Sequence, residues 1–224
     1  PYDGPNGVGA TLRYLAEHYG WEPLYDEGNL IALEGSDGAV TLEPGGQFEL
    51  SGAIRQTLRE TDNELRRHFA QVAAAADALG QRWLTLGLQP WHQVDDVPWM
   101  PKSRYVPMRR YLATRGGRAH WMMKMTCTVQ ANYDYRTERD AMEMLRLAAL
   151  LNPFVTALCA ASSRMGGQPA GRVSERMWVW RDTDPDRCGT PDFLLRRDST
   201  FADYAAWAAK VPMLFVRREG RYVD

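Results

Sequence analysis

With 224 residues, 45% of them hydrophobic and 25% charged, the chain can bury one substantial core and is too apolar to be disordered. Its 27 lysines and arginines balance 28 acids, a net charge of −1, which gives no electrostatic reason to expect nucleic acid or a membrane surface as a partner. The three cysteines, Cys127, Cys159 and Cys188, form no C-x-x-C pair, which disfavours a zinc ribbon or a dithiol and suits a reducing compartment.

Val8, Leu12, Leu15 and Tyr19 recur at helical spacing and Gly20 follows as a stop, which predicts a first helix. Residues 30–34 and 39–43 read as two strands around a Gly-Ser-Asp-Gly turn. Leu65, Phe69, Val72, Ala76 and Leu79 mark one face of a long helix ended by Gly80. Residues 82–89 read as a strand, and a loop with Pro90, Pro98 and Pro101 follows. A helix is expected over 104–113, with Pro107 confined to its first turn.

Residues 122–133 are the most strand-like segment, and Thr137 with Asp140 forms a capping-box pattern before a buried helix running to about Asn152. The longest apolar run, 147–161, is broken by Asn152 and Pro153 and is expected to be too short to span a bilayer. Residues 162–172 read as a glycine-rich loop, 173–180 as extended, 201–209 as a helix and 211–216 as a strand. Hairpins without a βαβ rhythm predict an α+β fold built on an antiparallel sheet.

Four segments carry residues capable of chemistry. In 42–52, strand alternation puts Gln47, Glu49 and Ser51 on one face, and the Pro-Gly-Gly break allows Glu43 to rejoin it. Paired carboxylates repel unless a cation lies between them, and oxygen ligands suit magnesium; a solvent-facing strand fits the same spacing. In 126–132, Thr126, Thr128, Gln130 and Asn132 share one face, as ligand-binding groups or simply as the wet side of a strand.

The D-x-D-x-D of Asp182, Asp184 and Asp186 resembles the start of a calcium loop, but position six is Arg187 rather than Gly and position twelve is Phe193 rather than Glu. Arg176 and Arg187 beside it offer guanidinium forks for a carboxylate or phosphate, or cap an acidic surface turn. Lys102 and Arg104 near a helix start form an anion site or a solvated basic turn. The four histidines are scattered without metal spacing, and no P-loop, dinucleotide or nucleophile-elbow motif is present.

Leu42-Glu43-Pro44-Gly45-Gly46-Gln47-Phe48-Glu49-Leu50-Ser51-Gly52-Ala53 resembles the signature of the plant and proteobacterial type of glutamate–cysteine ligase. So do Met100-Pro101-Lys102 with Arg104-Tyr105, Met122-Met123 with 126–132, Trp180 with Asp182-Thr183-Asp184, Asp186-Arg187 and Gly189, and Val211-Pro212-Met213. These blocks follow the family's order along nearly the whole chain. The resemblance implies a curved, mainly antiparallel sheet of glutamine synthetase type with helices on its outer side. It implies ATP-dependent joining of the glutamate γ-carboxylate to the cysteine amine through a γ-glutamyl phosphate, the first step of glutathione biosynthesis.

By the same resemblance Glu43 and Glu49 take Mg2+, Arg104 and Arg176 clamp glutamate carboxylates or the phosphoryl group, and Thr128, Gln130 and Asn132 line the funnel wall. Trp180 and Arg187 shape the pocket near glutamate and phosphate, and these residues are expected to line one cavity. Residues 1–224 are expected to be a single catalytic domain, a central fragment lacking the family's N-terminal metal-ligand strand and C-terminal helices. Leu214 stands where plant members usually carry Tyr, and Asp62 occupies one position of a plant regulatory cysteine. A ligase using another amine, or a non-catalytic glutamate- or ATP-binding relative, fits many of the same residues. Alanine- and arginine-rich composition without a transit peptide points to a cytoplasmic protein of bacterial type.

Overall fold

The computed structural model describes residues 1–36, 38–219 and 221–223. They form an α+β fold with antiparallel sheets, divided into two compact units: residues 1–85 with 94–106, and residues 86–93 with 107–224.

The first unit is a four-stranded antiparallel meander, β1 (Glu22–Asp26), β2 (Asn29–Gly35), β3 (Gly38–Leu42) and β4 (Phe48–Gly52), with helices α1 (Val8–Tyr19) and α2 (Leu58–Leu79) packed on it. Leu12 and Leu15 of α1 and Leu33, Val40 and Leu42 of the sheet are wholly buried and make the core. Glycines in the left-handed region end both helices, Gly20 at φ 70° and Gly80 at φ 64°, as their positions after the apolar runs predict. Gly35 pairs with Gly38 across the β2–β3 turn, where Asp37 lies outside the described residues.

The register decides which face is polar. Val40 pairs with Leu50 and Leu42 with Phe48 on the core side, so Thr41 and Glu49, the pair between them, project from the opposite side. Buried Glu64 of α2 locks the end of β4: its carboxylate accepts from the Ala53 amide at 2.9 Å and pairs with Arg55 at 2.8 Å. A Cβ on Gly52 would meet Glu64 Oε2 at 2.6 Å, so a side chain there would push against the buried carboxylate.

Helix α2 opens with a capping box, Thr57 to the Glu60 amide and Glu60 back to the Thr57 amide. Thr57→Ala should lower stability by about 1 kcal/mol, read as a lower urea midpoint at unchanged slope.

The second unit carries α3's later turns (α3 is Tyr105–Leu112), α4 (Ala119–Met125), α5 (Glu138–Leu158), α6 (Glu175–Arg181) and α7 (Phe201–Ala208). Its sheets are two small hairpins, β5 (Arg164–Met165) with β6 (Gln168–Pro169), and β7 (Val216–Arg218) with β8 (Arg221–Val223).

Several expectations fail in this unit. The strand expected over 122–133 begins as helix α4, whose Ala119 and Met123 are buried one turn apart, and continues as an exposed irregular segment. The strand expected over 82–89 has the right alternation but little to pair with. Leu88 bridges Thr126, flanked by hydrogen bonds from Gln89 N to Met125 O and from Cys127 N to Gly87 O. An extended segment becomes a strand only where a neighbour supplies its backbone groups.

Residues 173–180 are not extended: Glu175 and Val179, four apart, are the buried positions of α6. Its Trp-Val-Trp alternation mimics a strand in so short a segment. The strand expected over 211–216 starts only at Val216.

Thr137 caps α5 through the Asp140 amide as expected, but the helix is neither buried nor stopped at Asn152. It runs through Pro153, buries only Ala141 and Met142, and is by length and composition apolar enough to cross a membrane. The break read at Asn152–Pro153 therefore does not hold.

Candidate active site

The β3–β4 turn of the first unit is defined by its own backbone. Glu43 N donates to Gln47 O at 2.9 Å, Gly46 N to Glu43 O at 2.8 Å, and Gly45 N to Gln47 Oε1 at 2.8 Å. Gly46, at φ 86°, permits the reversal that returns the chain from Glu43 to Glu49 in six residues. The Met100-Pro101-Lys102 loop docks on this turn through Met100 N to Pro44 O at 2.9 Å. Asp26 fixes the other end of that loop, accepting from the amide and hydroxyl of Ser103.

This arrangement gathers Glu43, Glu49, Lys102, Arg104 and Tyr105. Arg104 lies 3.5 Å from Glu43 and donates to the Tyr105 hydroxyl at 3.3 Å, its guanidinium 5.1 Å from that ring's centre. Lys102 and Tyr105, both buried, donate to the same acceptor, the Leu42 carbonyl, at 2.9 and 2.7 Å. Burial and then the neighbouring Glu49 raise the Glu43 carboxyl above its ordinary range, against the pull of Arg104 and Lys102. Burial brings Lys102 down to about 8 and, for the opposite charge type, drives Tyr105 up to about 12.

The expectation that Glu43 rejoins the polar face agrees with these contacts. Among the described residues no cluster of three or more His, Cys, Asp or Glu side chains gathers around a metal position. A second carboxylate near enough to raise that of Glu43 fits a Mg2+ that takes its remaining ligands from phosphate oxygens and water.

The second unit presents a different set. Arg176 and Trp180 stand one turn apart on α6, the guanidinium 5.9 Å from the indole ring. Arg176 Nε donates to the Cys127 carbonyl at 3.1 Å, and its stem lies where a Cβ on Gly87 would be 3.4 Å away. Among the described residues no carboxylate pairs with Arg176, and the buried Trp180 Nε1 has no acceptor. A half-buried guanidinium beside an unfilled indole N–H is matched by an anion with several acceptor oxygens.

Arg187 is already engaged. It pairs with buried Asp184 at 2.6 Å, donates to the Tyr111 hydroxyl at 2.9 Å and to the Pro212 carbonyl, and lies 4.9 Å from the Tyr111 ring. Arg115 approaches Asp184 at 3.5 Å and also pairs with Asp186. Thr128, Gln130 and Asn132 are exposed on the irregular segment after α4, so the shared face expected of them is not formed there.

The structure thus joins Glu43, Glu49 and Arg104 in the first unit and Arg176 with Trp180 in the second. Sequence spacing read Lys102 with Arg104 as an anion site or a solvated basic turn, and assigned no place to the Tyr105 hydroxyl or to the backbone carbonyls of Leu42 and Cys127. A lysine followed by Ser-Arg-Tyr reads as surface; only the two donors' common acceptor reveals an interior role.

Comparison with known proteins adds a separate line of support. The family model for glutamate-cysteine ligase family 2 matches residues 1–224. The chloroplastic glutamate–cysteine ligase of Medicago truncatula is 40% identical over 217 residues, 97% of this chain and 43% of that protein. That of Brassica juncea is 41% identical over 97% of this chain and 42% of its own length. Glutamate–cysteine ligase B, chloroplastic, of Oryza sativa subsp. japonica is 40% identical over 95% of this chain and 43% of its own length. The chain therefore spans less than half the length of these relatives. Their chloroplastic names overturn the cytoplasmic location expected from composition. Such an address is read from a presequence, and the composition of a folded domain does not carry it.

Proposed function

We propose that this chain, which belongs to glutamate-cysteine ligase family 2, supplies catalytic groups for ATP-dependent ligation of the glutamate γ-carboxylate to the cysteine amine. In the proposed reaction the γ-carboxylate attacks the terminal phosphate of ATP and ADP leaves. The cysteine amine then attacks the γ-glutamyl phosphate, phosphate departs, and the amide retains the glutamyl carbonyl. Both steps concentrate negative charge around phosphorus, where fixed cations and hydrogen-bond donors act most strongly.

The residues divide by chemistry. Glu43 and Glu49 hold Mg2+, which when bound neutralises charge on the ATP phosphates. Arg104 beside Glu43, and Arg176 with Trp180, are assigned to substrate carboxylate or phosphate oxygens. Arg187, braced by Asp184 and Tyr111, is assigned to the phosphate end, and Thr128, Gln130 and Asn132 to a polar substrate wall. In this reading residues 1–224 act as one catalytic domain of glutamine synthetase-like type. The single observation that carries it is the placement of Glu43 and Glu49 at the two ends of one hydrogen-bonded turn, with the Arg104 guanidinium 3.5 Å from Glu43.

ADP release by the full natural protein, with ATP and Mg2+, tests the reading. Release should require both glutamate and cysteine, and the product should have the mass of γ-glutamylcysteine. Faster turnover with another amine would move the chain to a different carboxylate–amine ligase. Binding of ATP with no ADP release under any amine would remove the enzymatic reading altogether.

A further inference from the structure

The segment from Met100 to Arg104 is tied down at two places. One is the end of β3 and the turn after it, where Met100 N donates to Pro44 O and the Lys102 ammonium to the Leu42 carbonyl, both at 2.9 Å. The other is Asp26, 77 residues away in sequence from the Ser103 it holds. Asp26 Oδ2 accepts from the Ser103 amide at 2.6 Å, and the Ser103 hydroxyl lies 2.9 and 2.7 Å from Oδ1 and Oδ2. Asp26 ends β1 and pairs with Asn29, the first residue of β2, so Glu27 and Gly28 alone close that hairpin. Both take left-handed φ, 49° and 82°, as a two-residue turn matched to the strand twist requires. The carboxylate is therefore presented from a support whose register is fixed by its turn.

Attachment alone does not require this clamp. Met100 and Lys102 already hold the segment, and one residue beyond Arg104 the Tyr105 hydroxyl donates to the Leu42 carbonyl at 2.7 Å. What Asp26 adds is direction. It takes a backbone amide, and so fixes the planar peptide one residue before Arg104. The Arg104 guanidinium lies 3.5 Å from Glu43 and 3.3 Å from the Tyr105 hydroxyl, long for contacts of a charged donor. The backbone from which Arg104 sets out therefore shares in deciding where its guanidinium lies.

We propose that Asp26, acting through Ser103, is a positioning residue for Arg104: its carboxylate fixes the backbone from which the guanidinium reaches the place beside Glu43 where substrate oxygens bind. The inference rests on the assignment of Arg104 to substrate, and goes beyond it by naming what aims that side chain.

The test uses the full natural chain with ATP, Mg2+, glutamate and cysteine. Asp26→Ala should lower kcat/KM for glutamate about tenfold, less than the roughly hundredfold that a misplacement of 1 Å can cost. Asp26→Asn, which keeps an oxygen for the Ser103 amide, should stay within about threefold of wild type, and so should Ser103→Ala, which loses one ordinary hydrogen bond. The loss in Asp26→Ala should fall on the same parameter, KM for glutamate or kcat, that Arg104→Ala changes. In an Arg104→Ala background Asp26→Ala should add no further loss, because both changes act through one side chain. A loop that had merely lost an anchor would lose activity equally in either background.

A readout independent of turnover is hydrogen exchange at the Ser103 amide, which should quicken about tenfold in Asp26→Ala and hold steady in Ser103→Ala. Wild-type kinetics in Asp26→Ala, or a full further loss in the Arg104→Ala background, overturns the positioning role. If Asp26→Ala melts below the assay temperature, Ser103→Ala decides in its place: a loss that persists in the Arg104→Ala background overturns the proposal, and one that vanishes there supports it. An Arg104→Ala enzyme with wild-type kinetics refutes the assignment of Arg104 to substrate, and the positioning role with it, while quickened Ser103 exchange still shows the clamp. An exchange rate that does not change refutes the clamp whatever the kinetics.

Discussion

Glu49→Gln in the full natural chain should lower turnover by about 10²–10³, the loss expected when one preorganised electrostatic contact with the transition state is removed, roughly 3–4 kcal/mol. The substitution keeps the side chain's volume and leaves an amide oxygen for the Ser51 hydroxyl, which now donates to Glu49 Oε1 at 3.1 Å. It removes one negative charge from a pair whose mutual repulsion, after burial, holds the Glu43 carboxyl high. A hard cation held by phosphate oxygens and two carboxylates loses one handle, so added magnesium should recover part of the rate. Melting without nucleotide should stay constant or rise, because a like-charge contact has been relieved. Turnover against magnesium concentration, with a thermal melt of the same preparation, separates these effects. Full activity at low magnesium removes Glu49 from the site.

The first unit was largely legible in the sequence because its signals are local. The α1 face, the glycine stops, the hairpin and the alternation through Phe48, Glu49, Leu50 and Ser51 each depend on neighbours within a few residues. The second unit was not. Residues 122–133 and 173–180 contain the β-branched and aromatic alternation of strands, yet α4 and α6 bury one helical face each. In segments of seven residues, periods of 2 and 3.6 differ by too few positions to be told apart, and tertiary packing decides.

The same limit applies to the candidate site. Glu43 and Glu49 were visible because one strand and one turn relate them. The shared acceptor of Lys102 and Tyr105 was not, since it joins residues about sixty apart in the chain. Nor does spacing distinguish Arg176, which has no carboxylate partner among the described residues, from Arg187, which has three partners of its own.

The three aspartates of the D-x-D-x-D segment make the sharpest case, because identical side chains at equal spacing have unequal roles. The Asp184 side chain is 1% exposed, whereas that of Asp182 is 53% exposed and that of Asp186 39%. Burial alone would raise the Asp184 carboxyl. The Asp186 amide, Arg187 and Arg115 together outweigh burial and hold it below the usual carboxylate range. Asp184→Asn should therefore destabilise the chain by about 3 kcal/mol, the lower end for breaking a buried pair, since Arg187 retains Tyr111 and Pro212 and Arg115 retains Asp186.

Asp182→Asn should cost no more than about 1 kcal/mol, the range for exposed ion pairs. The pH dependence follows from the sign of the shift. A carboxyl whose folded-state pKa is depressed stabilises the fold above its unfolded pKa, and that contribution is lost as pH falls through the folded value. The difference in urea midpoint between wild type and Asp184→Asn should accordingly be largest near neutrality and shrink below the ordinary carboxylate range. The difference for Asp182→Asn should stay small throughout. A gap for Asp184→Asn that is no larger than that for Asp182→Asn, or that widens in acid, would show that the Asp184–Arg187 pair does not hold this segment together.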